Sequence, residues 1–316
     1  MKNNVSFTRP IQFLLQKGKG VRKGNLLFSK KYAPYLMVSP FIIFFVLFFL
    51  YPIISTIHMS FLEIYPGERT FVGLGNYYKL LNPHFYTALY NSTIYTLWTL
   101  IILIPVPMVL AVLLNSKITP LRNVFRSALF IPALTSVIVA GVIFRLLFGE
   151  SESSFANAVI TQLGFSPQQW MMHHGTGMFL MVLLASWRWM GVNILYFLAG
   201  LQNIPQTLYE SAEMDGAGTV TKFFRITLPL LKPVLVYVLT ISIYAGFRMF
   251  EESYVFWQNH SPGNIGLTIT GYLYRQGFEN FDLGFGAAIG LVLLLIVLLL
   301  NLIQLKFFGV FRKGDE

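Results

Sequence analysis

Residues 209–233 read YESAEMDGAGTVTKFFRITLPLLKP, and long apolar runs lie on both sides of them. Three acids, Glu210, Glu213 and Asp215, fall within six residues. Such a segment cannot sit in hydrocarbon, where a charge is costly and every backbone polar group needs an internal partner. It is therefore a loop between membrane spans. Pro205 is suited to open a helix and Asn203 to cap it, which sets the acids toward the positive end of the helix dipole. Asp215-Gly216 reads as a turn. A second short helix starts at Thr219 or Thr221 and ends near Pro229. With small residues at Ala212, Gly216, Ala217 and Gly218, the result is a short rigid knob that a partner can approach closely.

The composition agrees with a membrane setting. Of 316 residues, 55% are hydrophobic and 11% charged, whereas an ordinary soluble domain carries about a quarter charged residues. No cysteine is present, which excludes disulfides, thiol catalysis and thiolate metal sites. Six apolar runs are long enough to span, near 35–57, 88–114, 124–148, 176–200, 232–250 and 284–307. The fifth is the least clear-cut, because Arg248, Glu251 and Glu252 sit at its end. Pro40, Pro52, Pro105, Pro107 and Pro132 fall inside spans, which membrane helices tolerate when neighbours re-satisfy the freed backbone groups.

The basic residues orient the chain. A tail, residues 1–34, carries eight of them and no acid up to residue 33. Its patch Ile11 to Leu15 can lie on a membrane surface, but a flexible cytoplasmic tail is the plainer reading. A cleaved signal peptide is not expected, since the apolar run starts only near Tyr35 and no small-residue cleavage site follows. With the N-terminus inside, seventeen of the 23 Lys and Arg fall on the inner side and four on the outer, Arg69, Lys79, Arg145 and Arg275. That bias implies an N-in, C-in topology with a short C-terminal tail at 308–316. It accounts for the net charge of +10 through orientation and contact with anionic lipid, without nucleic acid. It also puts the 201–232 loop in the cytoplasm, where ATP is.

Within that loop Glu210, Ala212, Asp215, Gly216, Ala217, Ile226, Leu228 and Pro229 match the EAA loop of binding-protein-dependent ABC importer permeases. The pattern there runs E-A-A, D-G-A and I-x-L-P, and Ser211 is the one departure, small for small. GLQNIPQTLYE at 200–210 and FVGLGNYYKLL at 71–81 resemble the carbohydrate-uptake branch, of maltose and oligosaccharide type. The resemblance covers most of residues 35–310. It implies an all-α, six-helix type I importer permease fold over residues 35–307 in a bacterial inner membrane. It implies that the loop docks in a cleft of a separate ATPase. It further implies a second, homologous permease subunit, two ATP-binding-cassette subunits that hold ATP and Mg, and an extracytoplasmic solute-binding protein. The chain itself would be non-catalytic, with no cofactor or metal.

The residues agree with that last point. No G-x-x-x-x-G-K-[ST] occurs, and GKGVRKGN at 18–25 lacks the Lys-Ser/Thr ending. His173 and His174 are adjacent and do not share a helix face, so they are not read as a metal site. Asn91-Ser92-Thr93 fits a glycosylation sequon but starts a span.

The spans carry one further pattern. Tyr237, Thr240 or Ile241, Tyr244, Arg248 and Glu251 recur at helical spacing on the fifth span. Ser186, Trp189 and Asn193 share a face of the fourth, with Arg188 pointing elsewhere. A polar stripe on a membrane helix faces protein or a water-filled cavity. Aromatic faces with hydrogen-bonding neighbours suit sugar rings and their hydroxyls. Each aromatic alone is better read as packing between helices, since membrane interfaces are rich in aromatics, and Arg248 can be read as the partner of Glu251 or Glu252 one turn on. As a set they are expected to line a translocation path, and Arg188 and Arg248 together admit an acidic sugar. An ion-driven secondary transporter or channel is the competing class. Against it stand the absence of a mid-span carboxylate and of a visible inverted repeat.

Overall fold

The computed structural model describes residues 32–116, 121–257 and 260–311. Both terminal tails lie outside these apart from Tyr32 to Pro34 and Phe308 to Phe311, as does Lys117. The chain divides into two units, residues 1–55 and 56–316. In the first, α1 (Ala33–Met59) begins. Pro40 lacks the N–H that would reach the Leu36 carbonyl four residues back, and the Ser39 hydroxyl donates to that oxygen instead, at 2.9 Å.

In the second unit, a two-stranded antiparallel hairpin, β1 (Leu62–Tyr65) and β2 (Glu68–Phe71), follows α1. Then comes α2 (Pro83–Asn115). It starts several residues before the apolar run because Asn82 caps it: the Asn82 side chain accepts from the Phe85 N–H at 3.0 Å, with Pro83 at the first helical position.

The third span, expected as one run at 124–148, is two helices, α3 (Arg122–Leu134) and α4 (Val137–Leu147), bent by 97°. Thr135 and Ser136 take extended backbone between them. Pro132 has already removed one hydrogen-bond donor from the last turn of α3. The apolar stretches on either side merge into one span-length run when the reading passes over Thr135-Ser136.

After a short helix α5 (Phe155–Gln162), α6 (His174–Gln202) is the long central helix, and it packs on α2, α3, α4 and the fifth span. Helices in a bilayer gain nothing from hiding apolar surface from water, so close backbone approach matters. Gly191 provides it: a Cβ there would run into the Leu129 carbonyl of α3.

The loop helices α7 (Gln206–Met214) and α8 (Thr219–Lys222) lead into the fifth span. That span is α9 (Lys232–Phe247) followed by α10 (Glu251–Trp257). It runs seven residues past the expected end at 250, with a break at Arg248–Phe250. The charged residues there start a new helical turn and do not close the span. The short α11 (Ile269–Tyr274) and the last span, α12 (Leu283–Phe307), complete the fold.

Two clusters of buried residues mark the two ends of the bundle. One joins Phe85 and Ala88 to Phe247, Leu267 and Phe285. The other joins Met108 and Leu114 to Leu201, Leu231 and Val238. Thus α2, α6 and α12 run in one direction and α9 in the other, as alternate crossings require.

Candidate functional site

The 206–230 loop is built by local rules. Helix α7 ends in a paired turn: the Gly216 N–H donates to the Glu213 carbonyl at 3.0 Å and the Ala217 N–H to the Ala212 carbonyl at 2.8 Å. Gly216 has φ +77, the left-handed conformation this helix stop demands and glycine adopts without strain. The Asp215-Gly216 turn and the helix start at Thr219 agree with the sequence reading. The expected cap does not. Asn203 finishes α6, donating to the Ala199 carbonyl at 3.2 Å, and Pro205 stands at the N-cap position of α7 without a side-chain bond.

Two contacts tie α7 to the second leg. Tyr209 Oη lies 2.9 Å from Thr227 Oγ1, and Lys222 Nζ donates to Glu213 Oε1 at 2.6 Å. The Lys222 ammonium holds the Glu213 carboxyl below the usual carboxylate range. Glu210, Ser211, Asp215, Gly216 and Pro229 are exposed, whereas Ala212, Ala217, Ile226 and Leu228 are half-buried. Four large apolar side chains, Leu208, Met214, Val220 and Phe224, also face out from this knob.

The spans line an open cavity of about 670 Å³. Tyr95 and Thr99 of α2 line it, with Arg188, Trp189, Asn193 and Tyr196 of α6. From the fifth span come Tyr237, Ile241, Tyr244, Arg248, Glu251 and Glu252. Of the residues expected on the path, Trp189, Asn193, Tyr237, Tyr244, Arg248 and Glu251 come together here. Two do not. Thr240 donates to Gln304 Oε1 of α12 at 3.0 Å, and Ser186 is buried away from the cavity.

Asn193 also serves the fold. Its Nδ2 donates to the Leu103 carbonyl at 2.7 Å. Pro107 sits four residues on and leaves that oxygen without its helical N–H. Asn193 is the neighbour that re-satisfies it.

Arg188, expected to point elsewhere, faces the cavity and is nearly buried. Its Nη1 lies 3.4 Å from Glu252 Oε1 and its Nη2 3.4 Å from the Thr135 carbonyl at the break of the third span. Its guanidinium lies 5.5 Å from the Trp189 ring centroid. Glu252 is buried as well, so a carboxylate near the end of the fifth span faces into the bundle. Arg248 behaves differently. Among the described residues no ion pair joins it to Glu251 or Glu252. It leans on Tyr244, with Nη1 at 3.4 Å from the hydroxyl and the guanidinium 5.8 Å from the ring.

Sequence reasoning missed Tyr196, whose ring meets Tyr237 edge-on at 5.3 Å. The signal was present, since Trp189, Asn193 and Tyr196 are spaced four and three apart on one helix face. It also missed Tyr95 and the Arg188–Glu252 pair, for which no local spacing rule exists.

Polar groups at the other end are spent on structure. Asn91 of the sequon is fully buried, donates to the carbonyls of Asn264 and Leu267, and has its Oδ1 2.9 Å from His174 Nε2. No glycan can reach it. Lys79 bridges Glu63 at 2.8 Å and Asp282 at 3.1 Å. Partial burial works against its charge, but the two carboxylates outweigh that and raise its pKa. Among the described residues no three His, Asp or Glu side chains lie together as a metal site would need.

Residues 104–311 match the family described as the binding-protein-dependent transport system inner membrane component. The arabinooligosaccharides transport system permease protein AraP of Bacillus subtilis is 66% identical over 291 residues, covering 92% of this chain and 93% of that protein. The protein of the same description from Halalkalibacterium halodurans is 54% identical, covering 96% of this chain and all of that one. The lactose transport system permease protein LacF of Rhizobium radiobacter is 30% identical over 278 residues, covering 85% and 92%. A crystal structure of a bacterial ABC transporter that imports the acidic polysaccharide alginate superposes with TM-score 0.78 at 21% identity, covering 90% of this chain and 97% of that one.

Proposed function

This chain belongs to the family of binding-protein-dependent transport system inner membrane components, and we propose that it forms half the path of an importer for neutral, arabinose-containing oligosaccharides. The coarser statement needs no proposal. The chain is a non-catalytic, multi-pass inner-membrane permease subunit of an ABC importer that works with a solute-binding protein. The ion-driven alternative gives way to it. The single observation that carries the sugar class is the 66% identity to an arabinooligosaccharide permease over nine-tenths of both chains.

The rest of the reading concerns machinery. The chain pairs with a second, homologous permease and two ATPase subunits, which bind ATP and Mg. It lies N-in, C-in, so the 201–232 loop meets the ATPase from the cytoplasm. Glu210, Ser211, Ala212, Asp215, Gly216, Ala217, Ile226, Leu228 and Pro229 form the docking knob. Its rigid turn and its exposed Met214, Val220 and Phe224 support that role, since apolar side chains facing out mark an interface. Trp189, Tyr237, Tyr244 and Arg248 face the sugar, with ring faces for stacking and donors for hydroxyls.

The test is assembly-dependent hydrolysis. The purified chain alone should hydrolyse no ATP. Co-purified with its ATPase and partner permease, it should support hydrolysis that the sugar-loaded binding protein stimulates. Hydrolysis by the isolated chain would sink the reading.

A further inference from the structure

Four charged side chains line the cavity, Arg188, Arg248, Glu251 and Glu252, and their charges sum to zero. They are not equivalent. Arg248 and Glu251 are exposed, while Arg188 and Glu252 are buried and face one another from two spans at 3.4 Å. In a buried setting a lone guanidinium would be a strong attractor for any carboxylate that enters, because the field there is weakly screened. Glu252 removes that attraction. Arg188 is left with a neutral task, gripping Thr135, and its buried Nε still has no partner in the protein.

We infer that Glu252 sets the charge selectivity of the path. By pairing with Arg188 it keeps the cavity wall neutral, so uncharged oligosaccharides pass and uronic-acid oligosaccharides are refused. This rests on the reading of the cavity as the sugar path. Glu252 is a specificity residue that acts through Arg188, and the pair can be shifted in either direction. Without Glu252 the wall is cationic and takes uronates. Without Arg188 it is anionic and takes amino sugars. Without both it is neutral again.

The assembled complex in nanodiscs is titrated with no binding protein present, so that protein's own selectivity does not enter. The probes are arabinotriose, trigalacturonate and the glucosamine trimer, and affinities are compared as ratios within each variant. Wild type should prefer arabinotriose over trigalacturonate. Glu252→Gln should raise the trigalacturonate-to-arabinotriose ratio about tenfold or more, the scale of one charge-assisted hydrogen bond. Arg188→Gln should raise the glucosamine-trimer ratio instead, and the double variant should return close to wild type. If one single variant fails to assemble, the other decides. Unchanged ratios in an assembled single variant, or a double variant shifted as far as a single one, would overturn the inference. So would failure of both single variants to assemble, which would make the pair a folding element. A wild-type complex that binds none of the three sugars would instead overturn the reading of the cavity.

Discussion

The 206–230 loop and the cavity wall are both built from polar residues in an apolar chain, but they are held together over different distances. In the loop every named contact closes within 18 residues, the longest being Tyr209 to Thr227. In the wall, apart from Arg248 on Tyr244, the contacts that set side-chain direction join residues 53, 64 and 90 apart: Arg188 to Thr135, Arg188 to Glu252 and Asn193 to Leu103. The loop is therefore a local object with a shape of its own. The wall exists only once the spans have packed, and its Arg188–Glu252 ion pair is made by tertiary structure.

That difference can be broken at several points. The largest effect is expected at Gly191, where the wall depends on packing. Gly191→Leu drives a side chain into the α3 backbone at Leu129 and should cost about 3 kcal/mol or more as overpacking. The variant should run as aggregate in size-exclusion chromatography of the detergent extract. A monodisperse, transport-active Gly191→Leu would show that α3 and α6 do not need this approach.

Gly216 tests the loop in the opposite sense. No atom lies near its missing Cβ, so the cost of a side chain comes from φ +77 alone, about 1–2 kcal/mol. Gly216→Asp also adds charge at the knob. It should insert and fold normally yet fail to bind the ATPase in pull-down. Gly216→Asn, which tolerates this conformation better and adds no charge, should recover much of the binding. Equal loss in both variants would mean that the site cannot accept a side chain of either kind.

Tyr244→Ala removes a half-exposed ring from the cavity. The loss should be on the order of 1 kcal/mol in sugar affinity, with assembly intact. Full activity toward every sugar the wild type carries would reassign the ring to helix packing.

The smallest effect is at Glu213. Its carboxyl is held low by Lys222, so the link it makes is present above the ordinary carboxylate range and fades only as pH falls through the lowered value. Glu213→Gln should weaken ATPase binding slightly and equally from pH 6 to pH 8. A variant effect that grows with pH across that window would point to another titrating group.

How much could be read in advance follows from the same contrast. The span count, the loop and its turn rest on hydrophobic length and on Asp215-Gly216, which are local signals. The 97° bend at Thr135 was missed although Pro132 and the polar pair Thr135-Ser136 mark the place, because membrane helices tolerate such residues and only packing decides whether the helix breaks there. Arg188 was assigned the wrong direction since helical spacing fixes which face a Cβ occupies, while a long guanidinium can reach around to a carboxylate on another span. Asn193 lines the cavity beside Trp189, but its bond to the carbonyl that Pro107 frees could not be foreseen from either segment alone.

The central claim is that this permease moves sugar at the expense of ATP hydrolysed on another subunit. The direct measurement is uptake of arabinotriose into proteoliposomes holding the full complex, with ATP trapped on the loop side, binding protein on the other, and ionophores collapsing every ion gradient. Uptake should proceed with ATP and stop when ATP or the binding protein is left out. Uptake that persists without ATP and follows an imposed ion gradient would contradict the account.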